Sequence, residues 1–163
     1  MKKIKLTQGK YALVDNEDFE RVNQYKWYAD HNKKRNVYVA KRSYKSNGVP
    51  KTMLLHQFIM GTIERGHDFS IDHINHDTLN NQKSNLRICN SSQNLMNQKM
   101  RKNNSSGYKG VSFQKKANKF KASIELNSKS VHIGLFNSPI EAALAYNKKA
   151  LELFGEFAFL NKV

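Results

Sequence analysis

The chain changes its hydrophobic rhythm several times, and each change marks an element. Lys3 to Asp15 alternates loosely around Gly9, which predicts one or two strands at Ile4–Leu6 and Tyr11–Val14. Asp15 or Asn16 then suits a helix N-cap. Glu17 and Asp18 favour the positive helix start, and Phe19 and Val22 face inward. Tyr25, Trp27 and Ala29 share one face of a strand; Lys26, Tyr28 and Asp30 take the other. A basic turn at Asn32 to Asn36 leads to a partner strand at Val37 to Arg42. After the turn Ser46-Asn47-Gly48 comes a strand at Lys51 to Leu55 and a short helix from His56 to Met60, stopped by Gly61.

Farther on, Ile71 leads a short strand into Asp72 and His73. Asn75 to Ser84 has loop composition, and Leu86 and Ile88 alternate around Arg87 as a second strand. Asn90 or Ser91 caps a helix to about Lys99, with Leu95 and Met96 inward. Lys99 to Gly107 is basic and polar and reads as a linker, with Arg101 and Lys102 placed to lie along phosphates. Three period-two runs follow, at Tyr108 to Lys116, Lys119 to Asn127 and Ser130 to Phe136, with tight joins at Ala117-Asn118 and Ser128-Lys129. Ser138, Pro139 and Glu141 open a final helix with a capping box. Ile140, Ala143, Leu144, Ala150, Leu151 and Phe154 form its apolar stripe, and Gly155 ends it. The fold class is therefore α+β. A strand-rich platform (1–69) precedes a strand–loop–strand–helix motif (70–98), then a linker (99–106) and a three-stranded antiparallel sheet packed on one helix (107–163).

Charge narrows the partners. Twenty-eight basic groups against 13 acidic ones give +15 over 163 residues, with a pI near 9.9. Such an excess suggests an extended anionic partner, nucleic acid before membrane. No apolar run approaches the ~20 residues of a spanning helix. The basic start MKKIKLTQGK lacks the apolar core of a signal peptide, so the expected compartment is cytoplasmic, that of a bacterial host if the chain is phage-encoded. Cys89 stands alone, which excludes an intramolecular disulfide and a Cys-rich structural zinc site.

The candidate chemistry sits between Ile71 and Gln98. Asp72 and Asn94 offer hard oxygen ligands suited to one divalent ion, Mg²⁺ or Mn²⁺. His73, with an ordinary pKa of about 6.5, can take a proton from water near neutrality. A metal on phosphate oxygens and a His that activates water are the minimum for phosphodiester hydrolysis.

On DH at Asp72-His73, the Asn75-to-Asp77 turn, the Asn80-Asn81 pair, SNLR at Ser84 to Arg87 and Gln93-Asn94, the stretch resembles the HNH (ββα-metal) endonucleases, above all homing endonucleases of phage introns. The resemblance implies that Asp72 and Asn94 hold one metal, that His73 is the general base, and that Asn85 fixes the loop and the His orientation. It departs at His76, where many relatives have Gly, and at Asn80, often Asp. The LHQFIM segment resembles the stretch preceding the motif in phage relatives, so His56 is a candidate for positioning the site.

The last third resembles the Apetala DNA-binding domain of plant ethylene-response factors. The matching residues are YKGV at Tyr108 to Val111, KFKASI at Lys119 to Ile124, IGLF at Ile133 to Phe136, EAALAYN at Glu141 to Asn147, and FLN at Phe159 to Asn161. There the sheet face reads double-stranded DNA. The corresponding places here hold Lys109, Ser112, Gln114, Lys116, Ser123, Glu125 and His132, with Tyr146 on the helix, and Lys121 is a further DNA-binding candidate on the same polar face. These readings predict a monomeric, metal-dependent, site-specific DNA endonuclease. A DNA-binding regulator with a silent nuclease motif is the alternative.

Overall fold

The computed structural model describes residues 1–62, 69–100 and 103–163, so Arg101 and Lys102 lie outside the described residues. The chain forms two compact units, 1–90 and 91–163.

In the first unit, β1 (Lys2–Lys5) and β2 (Tyr11–Val14) make an antiparallel hairpin. Helix α1 (Asn16–Asn23) buries Val22, and Phe19 packs half-buried on the same core. Asp15 holds the N-cap position, yet its carboxylate does not cap the helix. It accepts instead from Gln82 Nε2 (3.0 Å) and Lys83 N (2.8 Å), tying the later loop to this corner. Strands β3 (Tyr28–Asn32), β4 (Val37–Ser46) and β5 (Val49–Leu54) form an antiparallel sheet in sequence order. Trp27 lies just before β3, buried, with its indole N–H on Val22 O. Helix α2 (Leu55–Met60) ends at Gly61, whose φ of 62° is the left-handed cap a glycine supplies. β6 (Ser70–His73) and β7 (Leu86–Cys89) form a two-stranded antiparallel ladder. Leu86 joins the core of Ile4, Val14, Val22, Trp27 and Leu55, so β7 is anchored in the platform.

The β6–β7 loop is also stitched to β2. Leu13 N donates to Leu79 O and Asn81 N donates to Leu13 O, both at 2.8 Å. A loop this polar stays ordered because its backbone groups find partners on a strand edge.

The second unit opens with α3 (Ser91–Met96). The helix therefore stands with the C-terminal residues, whereas the sequence grouped it with the motif up to residue 98. It is also shorter than expected. Leu95 points to solvent (60% exposed), and only Met96 packs on the unit's core. The stretch read as linker is partly built: Asn104 Oδ1 accepts from Ser106 N and Gly107 N, and Asn104 Nδ2 donates to Tyr108 O at 2.9 Å. Strands β8 (Val111–Gln114), β9 (Lys119–Leu126) and β10 (Lys129–Phe136) form an antiparallel sheet with β9 central. The tight join of β9 to β10 falls one residue before the expected Ser128-Lys129, at Asn127-Ser128, both at positive φ, as a two-residue hairpin turn of primed type requires. Helix α4 (Pro139–Phe154) starts at Ser138, whose hydroxyl accepts from Ile140 N and Glu141 N.

Two details of this unit differ from the sequence pattern. The register of β10 shifts between His132 and Gly134, which turns Leu135 onto the polar face opposite Lys121 and leaves Ile133 and Phe136 on the core. The buried side of α4 is Ala142, Ala143, Tyr146, Ala150 and Phe154, while Ile140, Leu144 and Leu151 are about half exposed. Small residues let the helix approach the sheet closely, and the Tyr146 ring needs a missing Cβ opposite it. A Cβ on Gly110 would lie 2.1 Å from that ring. Among the described residues no helix is long and apolar enough to cross a membrane.

Candidate active site

β6 delivers Asp72 and His73 side by side, and the ladder sets what lies opposite: Asp72 faces Arg87 and His73 faces Leu86. All four are buried. Arg87 donates to Asp72 Oδ2 from Nη2 (2.7 Å) and from Nε (3.1 Å). Arg87 is only 8% exposed, because a buried carboxylate needs its charge compensated.

His73 is 6% exposed. Its Nε2 lies 3.4 Å from Asn81 Oδ1, and Asn81 is itself fixed by Nδ2 donating to Leu79 O at 3.1 Å. With the amide nitrogen so used, Asn81 offers its oxygen to the ring. The neutral imidazole then carries its proton on Nε2, which leaves the basic lone pair on Nδ1. On the other side His56, from the first turn of α2, meets His73 edge to face with ring centroids 5.1 Å apart. Burial lowers the His73 pKa from its ordinary value; the Asn81 hydrogen bond and the nearby Asp72 and Asp77 carboxylates push it back up in part. Burial, and then the His73 charge, drive His56 down to about 3. Both rings are therefore neutral at physiological pH.

Asn85 acts on the loop. Its Oδ1 accepts from Asn75 N (3.0 Å) and its Nδ2 donates to Asn80 O (2.8 Å), so one side chain pins both limbs. Asn75 and Asp77 close successive turns onto Asp77 N and Leu79 N. His76 sits at φ 62°, the left-handed conformation that explains why glycine suits this position. Asn81 thus meets the His73 ring, and Asn85 pins the loop that carries Asn81. The sequence hinted at Asn81 only as the second member of an Asn-Asn pair; its burial to 1% exposure singles it out.

Asn94 lies on α3, half-buried in the second unit. Among the described residues no three His, Cys, Asp or Glu side chains gather as a metal site. Of the two expected ligands, Asp72 on β6 of the first unit offers the acidic oxygen. Such a sparse donor set is the kind Mg²⁺ accepts, since that ion keeps several waters and takes one or two carboxylates plus substrate phosphate.

The residues expected to touch DNA divide into three groups. Ser112 and Gln114 on β8, Lys121, Ser123 and Glu125 on β9, and His132 on β10 lie on one sheet face, as register pairs Ser112–Lys121 and Ser123–His132. Lys116 stands in the turn between β8 and β9, exposed. Two expectations are corrected. Tyr146 is 3% exposed inside the core with Ile124, Ala150 and Phe154, and burial raises its hydroxyl pKa to about 12, so it cannot reach a ligand on the sheet face. Lys109 precedes β8 and is not on that face. Its ammonium donates to Met96 O (2.8 Å) and Gln98 O (2.7 Å).

Comparison with known proteins follows the same stretch. Residues 54–96 match the family model described as HNH endonuclease. Over 159 residues the chain is 36% identical to an uncharacterized HNH endonuclease of Acanthamoeba polyphaga mimivirus, covering 96% of this chain and 77% of that one. It is 32% identical over 98 residues to Protein 3.8 of Escherichia phage T7, covering 60% of this chain and 78% of that protein. No solved structure gives a significant match.

Proposed function

The chain belongs to the HNH endonuclease family, and on that premise we propose that it is a site-specific DNA endonuclease of the homing type. In this reading it hydrolyses phosphodiester bonds with His73 as general base and one divalent ion, Mg²⁺ or Mn²⁺. The observation that carries the proposal is the buried His73 ring, turned by Asn81 and adjacent in sequence to the Arg87-held Asp72. That geometry supports a neutral imidazole whose Nδ1 takes a proton from a water molecule as the oxygen attacks phosphorus; the P–O bond to the departing strand end breaks, and solvent protonates the leaving oxygen. Asn85 keeps the loop that carries Asn81 from shifting, so the base stays within hydrogen-bond reach of its water. Asp72 and Asn94 are the proposed ligands, and the bound ion would neutralise the charge that develops on the phosphate oxygens.

The polar face of the β8–β10 sheet is the proposed DNA reader. Its resemblance to the Apetala domain and its Lys, Gln, Ser and His side chains fit a small sheet entering a major groove. Incubating the protein with plasmid and with genomic DNA, in Mg²⁺ and in chelator, tests the proposal. Cleavage at one mapped sequence, abolished by chelator, is the expected result. Binding without cleavage in any divalent ion would instead fit a regulator.

A further inference from the structure

The second unit holds α3 by a relay that ends on one lysine. Asn147 of α4 and Asn161 near the C-terminus pair through Asn147 Nδ2 to Asn161 O (2.8 Å) and Asn161 N to Asn147 Oδ1 (2.7 Å). The Asn161 side chain then grips the backbone of Lys109: Oδ1 accepts from Lys109 N (2.6 Å) and Nδ2 donates to Lys109 O (3.0 Å). So fixed, Lys109 sends its ammonium across the Phe159 ring, 5.2 Å from its centroid, to the carbonyls of Met96 and Gln98. These belong to the last residue of α3 and to the chain just beyond it, where helix carbonyls lack intrahelical partners and a cation is favoured. Met96 also packs on the Ile124–Tyr146–Phe154 core. A six-residue helix has little stability of its own, so its placement depends on such interactions.

We infer that Lys109 is a positioning residue for the nuclease: it clamps the C-terminal end of α3, the helix that carries Asn94. The inference rests on the proposed role of Asn94 as a metal ligand. It assigns Lys109 to catalysis at a distance rather than to the DNA grip that its sequence position suggests. Half-burial of the ammonium, which pushes its pKa down to about 8, accords with a side chain spent on internal carbonyls.

The test is Lys109→Met in the full-length protein, read in three ways. Amide hydrogen exchange across residues 91–98, followed by mass spectrometry, should quicken while exchange in β9 and α4 stays as in the parent. Single-turnover cleavage should fall by about 10²-fold, the scale of a displacement near 1 Å at a reacting centre. The Kd for target DNA, measured in Ca²⁺ or chelator, should stay within about twofold. Affinity falling in step with cleavage, or unchanged exchange in α3, overturns the inference. If the Met variant does not fold, Lys109→Arg decides. It keeps several N–H donors for the two carbonyls and should retain both α3 protection and cleavage; a folded Arg variant that loses α3 protection counts against the clamp. Should the parent protein not cleave DNA at all, the nuclease reading fails, while the exchange measurement still judges the clamp.

Discussion

Arg87 spends two N–H groups on a single oxygen of Asp72, Nε and Nη2 both reaching Oδ2, with each side chain about nine-tenths buried. The pair fixes the carboxylate's rotation on β6. Removing one member of such a pair leaves a buried charge unmatched and costs roughly 3–5 kcal/mol. Arg87→Ala should therefore lower the stability of the first unit by about that amount, read as a shift in urea midpoint. Asp72→Asn keeps an acceptor for Arg87 but loses the anionic ligand. Cleavage should vanish while DNA affinity persists, because affinity comes mainly from Lys and Arg side chains on phosphate. Undiminished cutting by metal-free-purified Asp72→Asn would remove Asp72 from the site.

His73→Ala should cut the rate by roughly 10²–10⁴-fold, the usual contribution of a positioned acid–base group. Because burial lowers the His73 pKa, the base is already neutral at pH 7. The rate should hence be flat across neutrality and fall only below the ordinary imidazole range. A profile still rising steeply through pH 7–8 would assign the titration to another group.

Asn81 supplies a more selective test of the same ring. Asn81→Leu removes the acceptor at Nε2, and it should slow cleavage without altering DNA affinity. Asn81→Asp keeps the acceptor but adds a negative charge beside the ring, which favours the imidazolium. Its rate profile should shift to higher pH, so that activity at pH 6.5 falls more than at pH 8.5. A shift to lower pH would contradict the hydrogen bond.

His56 links this cluster to acid stability. Its folded pKa of about 3 lies below the unfolded value near 6.5, so the unfolded chain binds the proton first. Stability is complete above pH 6.5 and is lost as pH falls toward 3, by up to about 1.4 kcal/mol per pH unit. His56→Phe keeps a ring against His73 and removes the titration. Its urea midpoint should change less between pH 7 and pH 5 than that of the parent.

Much of this was legible along the chain. Glycine at 61, the turn residues between β9 and β10, and Ser138 before Pro139 each carry a local conformational demand that no tertiary packing has to supply. The strands flanking the loop were equally plain from Ile71 and Leu86. What the pattern could not show depends on pairing. Arg87 is buried because the β6–β7 register sets it opposite Asp72, and register is not written in either strand alone. Asn81 rather than Asn80 meets His73 because the loop is stitched to Leu13. On α4 the expected stripe holds at Ala143, Ala150 and Phe154, which are buried, and fails at Ile140, Leu144 and Leu151, because close approach to the sheet selects Ala142, Ala143 and Ala150, with Tyr146 fitting over Gly110.

The sheet face gives the last prediction. Lys121 lies in the row Ser112–Lys121–Leu135, and Lys116 projects from the adjoining turn. If this face meets DNA, each Lys→Ala change should weaken binding on all sequences and reduce the magnitude of the salt slope by about 0.9 for each phosphate no longer neutralised. Gln114 and His132 present groups that hydrogen-bond base edges, so Gln114→Ala and His132→Ala should relax the preference for the cleaved sequence more than they lower general affinity. Truncation after Lys102 is a poorer probe, because it also removes Lys109 from the carbonyls of Met96 and Gln98. Point variants leave that clamp intact. Equilibrium binding to the mapped site and to a scrambled duplex, at several salt concentrations, separates phosphate neutralisation from base reading. Four variants with parental affinity, salt slope and sequence preference would place the DNA elsewhere on the protein.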